Sequence, residues 1–281
     1  MEQKINDKYG TLYLCATPIG NLEDMTPRAL RMLQEADLIA AEDTRHTLQL
    51  LNHFDIKGRL VRYDEHSKEK QGAYLLEQLL EGKSIALVSD AGFPGIADPG
   101  EALAHDAIAQ GVRVVPVPGA NAALCALIAS GLPTYPFFFG GFLPKSKRNR
   151  REQLELWQHI PATMILYEAP HRIVEVLKDI LACWGDRPLA AARELTKLHE
   201  EFYRGTVSGC LRWLEENSPR GEFCLVLGAG DGKAALEEDF GLPVTVANDA
   251  NCMTLGEVWA GGAKGYTDVI GVTLGTASRP E

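Results

Sequence analysis

The sequence has no C-x-x-C pair: its six cysteines, Cys15, Cys125, Cys183, Cys210, Cys224 and Cys252, lie far apart along the chain. This excludes a disulfide framework or a paired-cysteine zinc site and suits a reduced, cytoplasmic chain. The seven histidines show no H-E-x-x-H or other ligand spacing, so no metal is expected. Positive charge is also scarce. With 28 Lys and Arg against 38 Asp and Glu, the formal net charge is −10, which excludes a surface coated in cations for indiscriminate nucleic-acid binding. The opening MEQKINDKYG has no apolar stretch, so no secretory signal is expected. The one long uncharged run, Val114 to Pro144, is divided by Pro116, Pro118, Pro133 and Pro136, and no membrane span is expected from it. No G-x-x-x-x-G-K-[ST] is present and no G-x-G-x-x-G stands between a strand and a helix, so neither a nucleoside triphosphate loop nor a Rossmann dinucleotide site is indicated.

What remains is an α/β chain. Its 281 residues, 46% hydrophobic and 23% charged, suit about two domains. In the first half short apolar runs alternate with amphipathic ones. Strands are expected at 11–16, 38–42, 59–63, 84–89 and 112–117, with helices near 27–35, 45–53, 68–81 and 100–110. That order predicts a parallel sheet, because parallel neighbours need a crossover and a helix is the usual one. Thr26-Pro27 reads as an N-cap followed by proline at the first helical position. After a helix at 119–130 the pattern changes. Strands at 137–142, 163–168, 189–194, 199–205 and 222–228 are separated in part by helices near 148–159, 171–183 and 207–216. LTKLHEEFYRGTV joins two strands without a helical gap, which predicts an antiparallel hairpin and hence a mixed second sheet. The expected divisions are 1–118, 119–230 and 231–281.

Ligand-loop composition recurs where strands of the first half end. VSDAGFPGIADPG (88–100) combines three glycines, two prolines and two aspartates; TPIGNLEDMT (17–26) and VPGANAA (117–123) follow two other strands. In an open α/β sheet ligands bind at the carboxyl ends of strands, so the three loops are expected to face one crevice. A plain structural turn is the other reading of each. Five cations in seven residues, Lys145, Lys147, Arg148, Arg150 and Arg151, form either a solvated face or a contact for a polyanion.

In order along the chain, TPIGNLEDMTPRAL, AEDTRHT, VSDAGFPGIADPG, VPGANA, GGFLPKSK, YEAPHR and ARELTKLHEEFYRG resemble the bacterial 16S ribosomal RNA (cytidine-2′-O)-methyltransferases over residues 8–230. Two positions depart from that pattern: Asn121, where a small residue is commoner, and Ala169, where serine is usual. Neither removes a charge. The resemblance implies a two-domain tetrapyrrole methylase fold, with a parallel-sheet N-terminal domain and a mixed-sheet second domain. It further implies S-adenosylmethionine in the cleft between them, 16S rRNA of the 30S subunit as substrate, and a homodimer.

By match to these motifs, Pro18, Gly20, Asp90, Ala91, Gly92, Pro94, Ala120 and Asn121 are expected to contact the methyl donor, Asp90 having a second reading as a turn cap. A ribose hydroxyl is a weak acid, so a base would help, and Glu42, Asp43, Glu168 and His171 are the candidates. Arg45, Arg172 and Arg193, with Lys145, Lys147, Arg148, Arg150 and Arg151, are expected on RNA; the other reading of the Glu and Arg pairs is a structural ion-pair network. Phe93, Tyr135 and Tyr167 are candidates to hold the base. Two other functions stay open: a methyltransferase of this fold acting on a small tetrapyrrole, and a sugar kinase.

The last segment departs from this pattern. Residues 231–281 carry a net −5, and DFGLPVTVANDANCMTLGEVWAGGAKGYTDVIGVTLGTAS resembles an interior piece of a ROK-family sugar kinase. By that match Asp249 would be a base toward a sugar hydroxyl and Asn248 would hold the sugar. The chain has no D-x-G-x-T phosphate loop, so a working kinase is not expected, and the segment reads as foreign to the methylase part.

Overall fold

The structure, a computed structural model, describes residues 5–96, 98 and 100–231. The ROK-like segment beyond Asp231, with Asn248, Asp249 and Cys252, lies outside the described residues.

Strands β1 (Thr11–Cys15), β2 (Leu38–Ala41), β3 (Leu60–Arg62), β4 (Ile85–Val88) and β5 (Arg113–Val117) pair in the order β3-β2-β4-β1-β5, every neighbour parallel. The crossovers are α1 (Pro27–Glu35), α2 (Thr44–His53), α3 (Lys68–Leu80) and α4 (Gly100–Ala109). The central strands β2 and β4 read LIAA and IALV and are buried throughout, as a parallel sheet covered on both faces requires. Alternate residues divide between the faces. Ile39, Ala41, Ala86 and Val88 pack with Met32, Leu33 and Leu51 of α1 and α2, whereas Leu38, Ala40, Ile85 and Leu87 meet Leu75, Leu79 and Leu103 of α3 and α4. As expected, α1 starts at Pro27, and its N-cap Thr26 accepts a hydrogen bond from Ala29 N–H at 3.2 Å.

Helix α5 (Ala122–Ser130) leads into the second sheet, built from β6 (Phe137–Phe142), β7 (Thr163–Glu168), β8 (Pro188–Arg193), β9 (Glu201–Thr206) and β10 (Phe223–Leu227). The order is β6-β7-β10-β8-β9; β6 and β7 are parallel and the other pairs antiparallel, so the sheet is mixed. The expected hairpin is β8 with β9. Ala123, Ala126 and Leu127 of α5 pack on Ile165, Ala190, Ala192 and Val226 of this sheet. The helix starts three residues later than its apolar pattern suggests, because Asn121 caps it through a 2.8 Å bond from Leu124 N–H to Oδ1. Gly119 stays in the preceding loop, where its backbone passes so close to Ala16 that a Cβ would lie 2.8 Å from the Ala16 Cβ.

Helices α6 (Lys147–Trp157), α7 (Ile173–Trp184) and α8 (Val207–Glu216) complete this half. An ion network joins α6 to α7. The Arg150 guanidinium is buried, donating to Asp179 Oδ2 at 2.8 Å, to Glu175 Oε1 at 2.7 Å and to the Lys145 carbonyl at 3.3 Å. Arg151 Nε holds the other Asp179 oxygen at 2.9 Å. Arg150 is therefore no RNA contact, in correction of the sequence expectation: its fork is committed inside the protein. Alternating charge on the helix concealed this, since only the packing of α7 brings a carboxylate to the position Arg150 faces. Among the described residues no helix is long and apolar enough to cross a membrane, and no cluster of His, Cys, Asp and Glu has the makings of a metal site.

Candidate functional site

The loop after β1 and the loop after β4 are stitched together. Thr17 N–H donates to the Gly92 carbonyl at 2.9 Å and Gly92 N–H returns the bond to Thr17 at 3.1 Å, a single antiparallel bridge. Thr17 Oγ1 donates to the Ser89 carbonyl at 3.1 Å, and Ser89 Oγ to the Gly92 carbonyl at 3.2 Å. Gly92 has φ +80°, a conformation that L side chains rarely adopt, and the Ala120 carbonyl lies 3.6 Å from where its Cβ would be. Three loop tips thus meet at Gly92.

They border a cavity of about 550 Å³. The first sheet's loops contribute Glu42, Asp90, Ala91, Gly92 and Asp98; the second sheet contributes Tyr167 and Glu168 at the end of β7, with Ala192, Cys224 and Phe142 from other strands. Most of this wall is apolar. The polar groups concentrate at the strand ends.

Of the residues expected at the donor, Asp90, Ala91, Gly92 and Asn121 line the cavity, whereas Pro18, Gly20, Pro94 and Ala120 lie outside that lining. Asp90 Oδ1 accepts from Asp43 N–H at 3.1 Å, so it ties together the loops after β2 and β4. Gly20 instead packs under the Lys197 side chain, where a Cβ would come within 2.3 Å of Lys197 Cγ.

The candidate bases separate in the same way. Glu42 and Glu168 line the cavity. Asp43 does not: it is the N-cap of α2, accepting from Arg45 N–H at 2.8 Å and pairing with the Arg45 guanidinium, also at 2.8 Å. Those bonds hold Asp43 far below the ordinary carboxylate range, which leaves it little basicity. His171 is exposed and is not among the residues that line the cavity. Burial, reinforced by the negative charges of Asp90 and Asp98, pushes the Glu42 pKa up.

Glu168 is buried, and its Oε1 accepts from Ala169 N–H at 2.8 Å with Arg172 Nε 3.6 Å away. Its Oε2 has no hydrogen-bond partner. Burial raises this carboxyl's pKa against the opposing pull of the Ala169 N–H and the Arg172 charge. A buried carboxylate oxygen without a donor is costly, so it is the sort of defect kept where a ligand completes it.

The cations also divide. Lys145 and Lys147 are exposed at the start of α6, and Arg148, also exposed, pairs with Glu152 at 2.8 Å. Arg151 keeps one edge in solvent while bonded to Asp179, and Arg45 is open apart from Asp43. Arg172 Nη2 donates to the carbonyls of Leu143 and Pro144 at 3.0 and 3.1 Å. Arg193 pairs with Glu201 at 2.8 Å over the Trp213 ring.

Sequence reasoning did not single out Asp98 or Phe142. Asp98 Oδ1 accepts from Gly95 and Gly100 N–H at 2.7 and 2.8 Å and shapes the glycine-rich loop. It was legible inside ADPG as an Asp before Pro-Gly, a turn-forming pattern. Phe142 had no such signal.

Fold and site together define a two-sheet α/β methylase, its ligand cavity placed where strand-end loops converge. The family model for Tetrapyrrole (Corrin/Porphyrin) Methylases matches residues 11–210, and the chain belongs to that family. A ROK family model matches residues 229–277. The chain is 56% identical over 236 residues to the ribosomal RNA small subunit methyltransferase I of Halalkalibacterium halodurans, covering 84% of this chain and 81% of that protein. It is 51% identical over 230 residues to the protein of the same name from Bacillus subtilis, covering 82% and 79%. Among solved structures it resembles uroporphyrin-III C-methyltransferase from Thermus thermophilus complexed with S-adenosyl homocysteine, with a TM-score of 0.55 and 22% identity, covering 78% of this chain and 97% of that one.

Proposed function

We propose that this chain transfers a methyl group from S-adenosylmethionine to the ribose 2′-hydroxyl of a cytidine in 16S rRNA of the 30S subunit, in the cytoplasm and as a homodimer. The observation that carries the chemistry is the unpaired Glu168 Oε2 in the wall of a donor-sized cavity. RNA rather than a tetrapyrrole is favoured by the names of the relatives at 51–56% identity and by the exposed cations Lys145, Lys147 and Arg148 on the segment that follows cavity-lining Phe142. The exposed apolar side chains of Ile128, Tyr135 and Phe137, the last on the edge strand β6, support self-association. The packing of α5 on the second sheet supports a division of the methylase part near residue 119.

The cavity suits the donor. A volume of about 550 Å³ is within the range of small-molecule sites, roughly 300–1,000 Å³. Its apolar wall matches an adenosine face, and Asp90, Ala91, Gly92 and Asn121 would hold the donor's polar edges. S-adenosylmethionine supplies an electrophilic methyl group when bound. The chain's own part is to hold a ribose oxygen in line with it, exclude bulk water, and take the proton that the oxygen loses as the O–CH₃ bond forms. Glu168 Oε2 accepts that proton. Burial, which raises its pKa, makes it a stronger base than an ordinary carboxylate. Glu42, which also lines the cavity, bears the same kind of shift, with the charges of Asp90 and Asp98 adding to burial.

Incubation with labelled donor and unmodified 30S subunits tests the reading: label in a cytidine ribose supports it, and none, with an active relative run in parallel, rejects it. The cations give a further prediction. Changing Lys147 and Arg148 together to Ala lowers the slope of log affinity for RNA against log salt by about 1.4–1.8, at roughly 0.7–0.9 per lost phosphate contact. An unchanged slope would place the RNA elsewhere.

A further inference from the structure

Strand β6 contains a change of face that hydrophobic packing does not require. Along a regular strand, residues two apart share a face. Phe138 packs edge-on against Trp157 of α6, with ring centroids 5.1 Å apart, while Phe139 packs against Tyr167, also at 5.1 Å. By that alternation Phe142 belongs with Phe138. Instead its ring lies 5.5 Å from Tyr167, on the side of Phe139 and the cavity.

A β-bulge makes the switch. Against β7, Phe139 pairs with Ile165 and Gly141 with Leu166, so Gly140 is an extra residue in the ladder. A Cβ on Gly140 would come within 2.8 Å of Trp157 and Leu166 side-chain atoms, and Gly141 takes φ +62°. Both positions thus favour glycine, and their effect is to turn one phenylalanine to the other face.

That phenylalanine is 56% exposed although it lines the cavity. The next residue, Leu143, is buried, and Arg172 grips the carbonyls of Leu143 and Pro144. The exposed Lys145, Lys147 and Arg148 follow. Within a few residues the chain therefore presents an open aromatic face at the cavity, a fixed backbone and a set of phosphate-seeking cations. A nucleotide turned out of its stack offers a matching base, ribose and phosphate.

We infer that Phe142 is the platform on which the target base stacks, a substrate-binding residue that sets the ribose at the cavity. The inference rests on the RNA reading above, and the exposed cations and the bulge are what favour a base over the donor as its occupant. Tyr167, expected from sequence to hold the base, instead backs the platform, and its hydroxyl accepts from Ala123 N–H at 3.2 Å. Tyr135 is exposed outside the cavity lining.

The test compares Phe142→Leu with Phe142→Tyr. Expected for the leucine variant is a loss of about 10–100-fold in kcat/KM for 30S subunits, the range of losing one base stack. Filter binding of 30S subunits without donor weakens in parallel, while calorimetry with S-adenosylhomocysteine gives a Kd within about twofold of the unaltered chain. The tyrosine variant, which keeps the π face, recovers most of the loss. Unchanged kinetics in the leucine variant would overturn the inference, as would donor affinity falling in proportion to kcat/KM, which would make Phe142 a wall of the donor site. Failure of the unaltered chain to label ribose would overturn the parent reading and this inference with it.

Discussion

Replacing Glu168 by Gln lowers methyl transfer by roughly 10²–10⁴, the usual contribution of a positioned base, while the protein stays folded. The two effects separate because Glu168 is held at a cost. Its Oε1 has the Ala169 N–H, but Oε2 has no donor and burial disfavours the charge. Glutamine keeps the shape and the Oε1 bond and removes the charge, so the melting temperature is unchanged or higher while activity falls. The pH profile carries the same sign. A carboxyl with a raised pKa becomes a competent base only as pH rises through that raised value, so the acid limb of kcat lies above the ordinary glutamate range and disappears in the variant. The linkage for stability runs the other way: a raised carboxyl favours the folded state below its unfolded pKa, and that stability is lost as pH rises through the folded one. Glu42→Gln is the control. If it, and not Glu168→Gln, abolishes turnover with donor affinity intact, the proton goes to Glu42 instead.

The second large effect is on stability. Asp179→Ala leaves Arg150, whose side chain is 1% exposed, with the half-exposed Glu175 carboxylate as its remaining anionic partner. Breaking a buried ion pair from one side typically costs about 3–5 kcal/mol, because the surviving charge cannot return to water. Urea unfolding measures it directly; a loss under about 1 kcal/mol would show that the network is solvated. Changing the pair together, Arg150→Met with Asp179→Leu, recovers much of the loss, since apolar replacements of similar volume tend to be neutral or better. Burial acts to raise the Asp179 pKa, but the bonds from Arg150 and Arg151 outweigh it and hold the group below its ordinary value. The stability this pair supplies is therefore present above the unfolded aspartate pKa and lost as pH falls through the depressed one. Because Arg150 also holds the Lys145 carbonyl, the unpaired variant loosens the start of the basic helix.

Much of this molecule is written locally. The buried runs LIAA and IALV, the Thr26-Pro27 start and the strand-helix alternation dictate a parallel sheet, because each follows from the period and capping of a few neighbouring residues. The glycine-rich loops were legible for the same reason, glycine and proline fixing the backbone where they stand. What the sequence left open is which members of similar groups meet. Five cations within seven residues look alike until α7 packs against them and takes Arg150 inside. Four candidate bases look alike until one of them, Asp43, caps its own helix and another, Glu168, is buried with an oxygen unpaired. Phe142 reads as one more apolar residue of an edge strand until the bulge at Gly140 reverses its face. Local backbone preference is short-ranged and survives in the sequence; burial, charge pairing and the direction of a side chain depend on partners that only folding brings within reach.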